Sequence, residues 1–271
     1  MASVGWIPWS RMAHSVLAVL PTLGDRLETL EAAIRSVIDQ KRDVDVRLVV
    51  VAPPSAIEAR RLAESVGATI VDDPKSGLAG AMNAGVSARD GESFYVGLGD
   101  DDLLREGGLR HLLDLAEKNP EAVVYFGACD YIDGDDRTIG VSRAGRLATM
   151  ILAWGPDLIP HPGTLIRLDA LEKVGSFDAH RRYAMDLDAF LKLKRVGRFV
   201  STKRSVAAFR WHADSLTVSG RAASAKDAME VKQAHLPAWL RPISAAWLVP
   251  VSWATEHAGK LVNGRARRLG R

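Results

Sequence analysis

The chain has 271 residues, 47% hydrophobic and 25% charged, with a formal net charge of +3. That balance excludes a disordered, collagen-like or coiled-coil protein, and the total charge is too mild to argue for nucleic acid as a partner. No run approaches the roughly 18–20 apolar residues of a membrane-spanning helix.

The length suits one large α/β domain with a decorated tail. Cys129 is the single cysteine, so no intramolecular disulfide forms; its setting in "VVYFGACDY" suits a small buried side chain at a strand end. In "MASVGWIPWSRMAHSVLAVLP", Pro8, Arg11 and His14 interrupt the region where a signal peptide would need its apolar core. The expectation is a cytoplasmic protein, not exported.

In chain order, "SVLAVL" (15–20) is a short apolar run closed by Pro21, as in a strand buried on both faces. "RLETLEAAIRSVIDQ" (26–40) then sets Leu27, Leu30, Ala33, Ile34, Val37 and Ile38 at helical spacing. The pattern repeats with a strand over 44–52, a helix over 55–67 that Gly67 can end, and a strand over 68–73. A small-residue helix over 77–91 and a strand "SFYVGLG" (93–99) follow. Such alternation implies a parallel sheet with helices on both faces, whose ligands bind beyond the carboxyl ends of the strands. "PTLGDR", "DDPKSG" and "GDDD" fall at those ends and are expected side by side.

After a helix at about 105–118 comes a strand and a hairpin turning at Asp133 to Asp136, and there the alternation stops. "HPGTLIRL" reads as a strand, 184–197 as a helix and "RFVSTKRSVAAFRWH" as a further strand.

Asp100, Asp101 and Asp102 end the fourth strand. Three adjacent carboxylates raise one another's pKa unless a cation compensates them, and Mg²⁺ or Mn²⁺ does so while leaving positions for phosphate oxygens. The alternative is a solvated acidic loop in which Asp102 caps the next helix.

The ordered motifs "VLAVLPTLGDRLETLEAAIRSVIDQ", "SGLAGAMNAGVSARDGESFYVGLGDDDLL", "VVYFGACDYID", "HPGTLIRLDALEKVGSFD" and "YAMDLDAFLKLKRVG" give the chain, from Ser15 to Gly220, a specific resemblance to the family-2 inverting glycosyltransferases of the GT-A fold. The resemblance implies an α/β domain with a nucleotide-sugar-binding half (15–104) and an acceptor-binding, catalytic half (105–220), flanked by an N-terminal extension (1–14) and a C-terminal extension (221–271). It also implies a nucleotide-sugar donor, a glycan or lipid-linked glycan acceptor, and Mn²⁺ or Mg²⁺ as cofactor.

Carried over, Pro21 and Thr22 lie against the nucleotide, Asp73 and Gly77 border it, and Asn83 lines the donor pocket. Asp101 and Asp102 hold the metal beside Asp100, and Asp186 is the carboxylate that takes the acceptor's proton. Asp188, two positions on, points to another face and stands in reserve. A dipole-stabilising charge at a helix start is the plain alternative for Asp186. His212 completes the metal site or contacts the diphosphate, or is an ordinary hydrogen-bonding residue. His161, held extended between two prolines, falls on the acceptor side or is structural.

The match departs at Pro53 and Pro54, where relatives carry a base-contacting aspartate that Asp25 or Asp73 would replace. It departs at Gly99, where many relatives have a further aspartate, and at Met82, where many have an arginine. Lys75 or Arg26 would then supply the charge that a diphosphate needs.

In the tail, Trp239, Trp247 and Trp253 are interrupted by Pro237, Pro242 and Pro250, and 257–271 carries five Lys or Arg and no Asp or Glu. Short interfacial segments over 236–271 on the inner face of a membrane are expected; the alternative is a strap packed on the domain. A nucleotidyltransferase, or a non-catalytic binding protein that keeps the fold, are the competing functions.

Overall fold

The computed structural model describes residues 14–143, 145–211 and 221–251. β1 (Val16–Pro21) is buried along its whole length, and its alternate residues feed two cores. Val16, Ala18 and Leu20 pack with α1 (Leu27–Ile38), α2 (Ile57–Ser65) and α4 (Gly108–Lys118). Leu17 and Val19 pack with α3 (Gly77–Ser87), α6 (Leu168–Lys173) and α7 (Met185–Leu193). A strand covered on both faces has no polar side to show, which is why the run is apolar without alternation.

β1 lies parallel to β2 (Val46–Ala52) on one side and to β4 (Phe94–Gly97) on the other, and β2 lies parallel to β3 (Thr69–Asp72). Next come β5 (Leu103–Leu104), β6 (Ala122–Ile132), β7 (Thr138–Ser142), α5 (Gly145–Ile151), β8 (Leu165–Arg167) and β9 (Arg198–Arg210). Among the described residues the sheet has nine strands in the order β3-β2-β1-β4-β8-β6-β9-β5, with β7 paired to β6. The parallel pattern is interrupted at β8, which runs antiparallel to both β4 and β6, and resumes between β6 and β9. The β6–β7 hairpin turns where expected, with the Asp133 carboxylate accepting from the amides of Asp135 and Arg137, each at 3.0 Å.

α8 (Arg221–His235) follows, then a 3₁₀ turn (Arg241–Ile243) and a short helix over 245–251. Among the described residues Pro237 lies just past α8 and Pro242 within the 3₁₀ turn, whereas Pro250 sits inside the last helix. No helix among the described residues is long and apolar enough to cross a membrane.

One alternative falls and one expectation changes. Asp102 does not cap a helix: it leads into β5, and α4 begins only at Gly108. The three strand-end loops are not all neighbours either, because β2 separates β3 from β1.

Candidate active site

The loops after β1 and β4 touch. Thr22, 5% exposed just past Pro21, donates from Oγ1 to Asp100 Oδ2 at 2.7 Å. Arg26 reaches Asp101 Oδ2 at 2.5 Å and Asp100 Oδ1 at 3.5 Å, so of the two cations considered it is Arg26 that meets the carboxylates. Asp25 stands outside them, exposed, at 3.8 Å from Arg26.

The far side of the aspartate loop is fixed by β9. β5 pairs antiparallel with Ala207 and Ala208, which brings buried Arg210 under the loop. The Arg210 amide donates to Asp102 Oδ1 at 3.0 Å and its Nε to the Asp101 carbonyl at 2.9 Å. Its Nη1 and Nη2 donate to the Asp133 carbonyl at 2.9 Å and to Asp136 Oδ1 at 2.5 Å. The hairpin turn is thereby tied to the loop.

Burial and the neighbouring Asp101 hold the Asp102 carboxyl well above the usual carboxylate range. Asp100 is raised as well, chiefly by burial, against the pull of Thr22 and Arg26. Gly99 leaves room here: a Cβ on it would stand 2.8 Å from Asp102 Oδ2 and 3.0 Å from Asp101 Oδ1. Two carboxylate oxygens therefore converge over a bare backbone, a pairing that suits a divalent cation. Among the described residues no three His, Cys, Asp or Glu side chains surround one point, and His212 lies outside the described residues.

The other donor-side residues are spread out. Asp73, past the end of β3 and so one strand removed from β1, accepts at Oδ1 from the Lys75 amide at 2.9 Å, and Gly77 opens α3 at φ +82°. The Asn83 side chain bonds the Phe177 backbone at both ends, donating to its carbonyl at 2.7 Å and accepting from its amide at 3.0 Å. It fastens α3 to the chain ahead of α7. Met82, where relatives place an arginine, is buried with Sδ 3.2 Å from the Tyr95 hydroxyl.

A second cluster surrounds Asp186. The His161 ring approaches the Tyr95 hydroxyl at 3.3 Å, and Pro162 bridges to Gly97, where a Cβ would collide with both rings. Asp186 lies in the first turn of α7, with Oδ1 accepting from the Leu187 amide at 2.8 Å. Burial, and then Asp186, push Asp157 up to about 7 and raise the Tyr95 hydroxyl further from ionising. His161 is lowered by burial, with Asp186 opposing. Asp188 is set apart: buried on the other side of α7, it meets His235 Nε2 at 2.8 Å and Lys192 Nζ at 2.6 Å. Burial works against its charge, but those two bonds hold it below the usual range.

Sequence reasoning missed the contribution of α8. Asp227 Oδ2 accepts from the amides of Tyr183 and Ala184 at 3.0 and 3.1 Å, capping the approach to α7 from outside the helix, while Oδ1 faces Arg181 at 3.1 Å. Lys232, buried, donates to the Gly155 carbonyl at 2.5 Å and feels Asp157. The available signal was Ala228, Val231 and His235, with Ser224 one turn earlier, spaced as one helix face.

A central, mostly parallel sheet flanked by helices, with an aspartate cluster beyond the end of β4, is the architecture of the GT-A class of nucleotide-diphospho-sugar transferases. Residues 18–181 match Glycosyl transferase family 2, and the chain belongs to that family. It is therefore a glycosyltransferase, of an inverting family, and the nucleotidyltransferase and non-catalytic readings fall away. No curated protein sequence matches it. Among solved structures it is similar to TarS 1–349 of S. aureus in complex with UDP-GlcNAc, at 12% identity and TM-score 0.64, over 86% of this chain and 70% of that one. It is also similar to the mannosyltransferase PcManGT of Pyrobaculum calidifontis in complex with GDP-Man and Mn²⁺, at 19% identity and TM-score 0.62, over 92% and 75%.

Proposed function

We propose that the enzyme moves a sugar from a nucleotide-diphosphate donor to a hydroxyl of a glycan or lipid-linked glycan, with Mn²⁺ or Mg²⁺ held by Asp101 and Asp102 and with Asp186 as general base. The observation that carries this reading is the convergence of the Asp101 and Asp102 oxygens over Gly99, beside the end of β1, with the buried Asp102 raised. Burying like charges is costly unless a cation offsets them, and a cation there would face the diphosphate of a donor seated at Pro21 and Thr22. The UDP-GlcNAc and GDP-Man–Mn²⁺ complexes of the similar structures support the same donor class.

The acceptor hydroxyl attacks the anomeric carbon on the face opposite the diphosphate. As the new C–O bond forms, the bond to the diphosphate breaks and its electron pair leaves with the nucleoside diphosphate. The hydroxyl proton passes to the Asp186 carboxylate, for which one base suffices. Thr22 and Arg26 orient the carboxylate loop, Arg210 and the Asp133–Asp136 turn brace it, and His161 and Tyr95 wall the acceptor side. The cation, with His212 as a candidate further ligand, supplies charge neutralisation at the leaving diphosphate. Asp25, Asp73, Gly77 and Asn83 belong to the donor side in this reading, Asp73 and Gly77 at its periphery. Asp188 serves as a structural charge.

The test is thermal stability of the protein with UDP, GDP, dTDP or CDP, each with Mn²⁺ and with EDTA. One nucleotide should raise the melting temperature only when Mn²⁺ is present, and Asp101→Ala/Asp102→Ala should abolish the rise. Stabilisation that is the same in EDTA, or that survives in the variant, would sink the metal assignment.

A further inference from the structure

Scattered exposed apolar side chains are normal on a protein surface, but a gathered group is informative. Six of the eleven large hydrophobic side chains exposed among the described residues lie on two segments. Leu147, Met150 and Trp154 lie on or just after α5, and Trp239, Ile243 and Val249 lie along 236–251. The segments meet, since the Trp154 and Trp247 rings stand 5.7 Å apart at 37°. The junction is held from beneath by Lys232, bonded to the Gly155 carbonyl, and by Gln233, which donates to Ser244 Oγ at 3.1 Å.

The charge on this surface has one sign. Neither 143–155 nor 236–251 contains an Asp or Glu, while Arg143, Arg146 and Arg241 are exposed. A second copy seated here face to face would set arginine against arginine with no acid to answer it. An anionic bilayer complements both components: tryptophan and aliphatic side chains enter the headgroup boundary and the arginines meet lipid phosphates. The basic, acid-free sequence over 257–271 continues the same character.

We propose that α5 and the 236–251 segment form one composite surface that seats the enzyme on an anionic lipid bilayer. Binding lies in the plane of the membrane, because no described helix spans it. The surface also borders the reaction: Trp154 precedes by three residues Asp157, whose carboxyl feels Asp186. A lipid-linked hydroxyl held in that bilayer is thereby presented to the acceptor side. Presentation of such an acceptor rests on the glycosyl-transfer reading, whereas the seating does not.

The test is co-sedimentation of the full chain with vesicles of phosphatidylcholine alone or with one-third phosphatidylglycerol. The wild type should bind the anionic vesicles and not the neutral ones. Leu147→Ser/Met150→Ser, two exposed positions outside the tail, should weaken that binding about tenfold, since two apolar anchors are lost. The nucleotide-dependent thermal shift should be unchanged in this variant, so a failed donor site and a failed membrane seat give separate signatures. Equal sedimentation of variant and wild type would overturn the composite surface, as would a wild type that ignores both vesicles. A dimer in solution that the variant dissociates would equally overturn it, assigning the face to a second copy.

Discussion

Asp100, Asp101 and Asp102 are met by arginines: Arg26 lies across two of the carboxylates, and Arg210 donates to the loop from below. Asp157 and Asp186, by contrast, sit among Tyr95, His161 and the buried amine of Lys232. The same side chain is used in two electrostatic settings. Burial raises carboxyls in both, Asp100 and Asp102 in the first and Asp157 in the second, so what separates them is the fixed positive charge of the two arginines that the first gathers.

The sharpest test of this contrast is Asp186→Asn, which should lower turnover roughly 10²–10⁴-fold by removing the proposed base. Donor binding, measured calorimetrically with Mn²⁺, should be retained, and its loss would merge the two settings into one. The converse is Gly99→Ala, whose Cβ would crowd the Asp101 and Asp102 oxygens. Metal-dependent nucleotide affinity should fall roughly 10–100-fold, as when a metal site's supporting shell is disturbed. The melting temperature without metal should hardly move.

A smaller effect is expected at Asp227→Ala, which removes the acceptor for the Tyr183 and Ala184 amides. About 1 kcal/mol of stability should be lost, as for a helix cap, with a several-fold fall in kcat and little change in donor KM. Asp227→Asn, which keeps an oxygen acceptor, should restore part of the turnover; if it does not, the charge facing Arg181 is what matters.

The smallest effect is a pH slope. Asp157 in the folded protein titrates at about 7, above the ordinary carboxylate range of the unfolded chain. Its contribution to stability is full below that ordinary range and is lost as pH rises through 7, because the folded state binds the extra proton. The wild-type melting temperature should therefore fall from about pH 6 to about pH 8 by a few degrees more than that of Asp157→Asn. Parallel curves would remove Asp157 from the proton-holding cluster.

Much of the donor half was legible because its signals are local. A buried parallel strand announces itself as an apolar run, and α1 as a stripe from Leu30 to Val37. The aspartate triplet is likewise contiguous. What escaped was set by topology: the crossover that places β2 between β3 and β1 removes the Asp73 loop from the Thr22 loop. The Asp102 capping alternative failed because two residues of β5 intervene to pair with β9, more than a hundred positions away. Asp227 and Lys232 were invisible for a related reason, each acting on a partner 43 to 77 positions earlier through a bond that no sequence window contains. His212 and Trp253 lie outside the described residues.

The docking of α8 onto α7 bears on where this enzyme ends. The family match stops at residue 181, five positions before Asp186 and well before Asp227, Lys232 and His235. A boundary drawn by sequence similarity would thus fall inside the second half, between the matched segment and the helix whose Asp227 bonds the amides leading into α7. It follows that loss of activity in a chain shortened ahead of 236 would report a collapsed acceptor side as readily as a lost membrane seat. Point changes on α5 separate the two where deletion cannot.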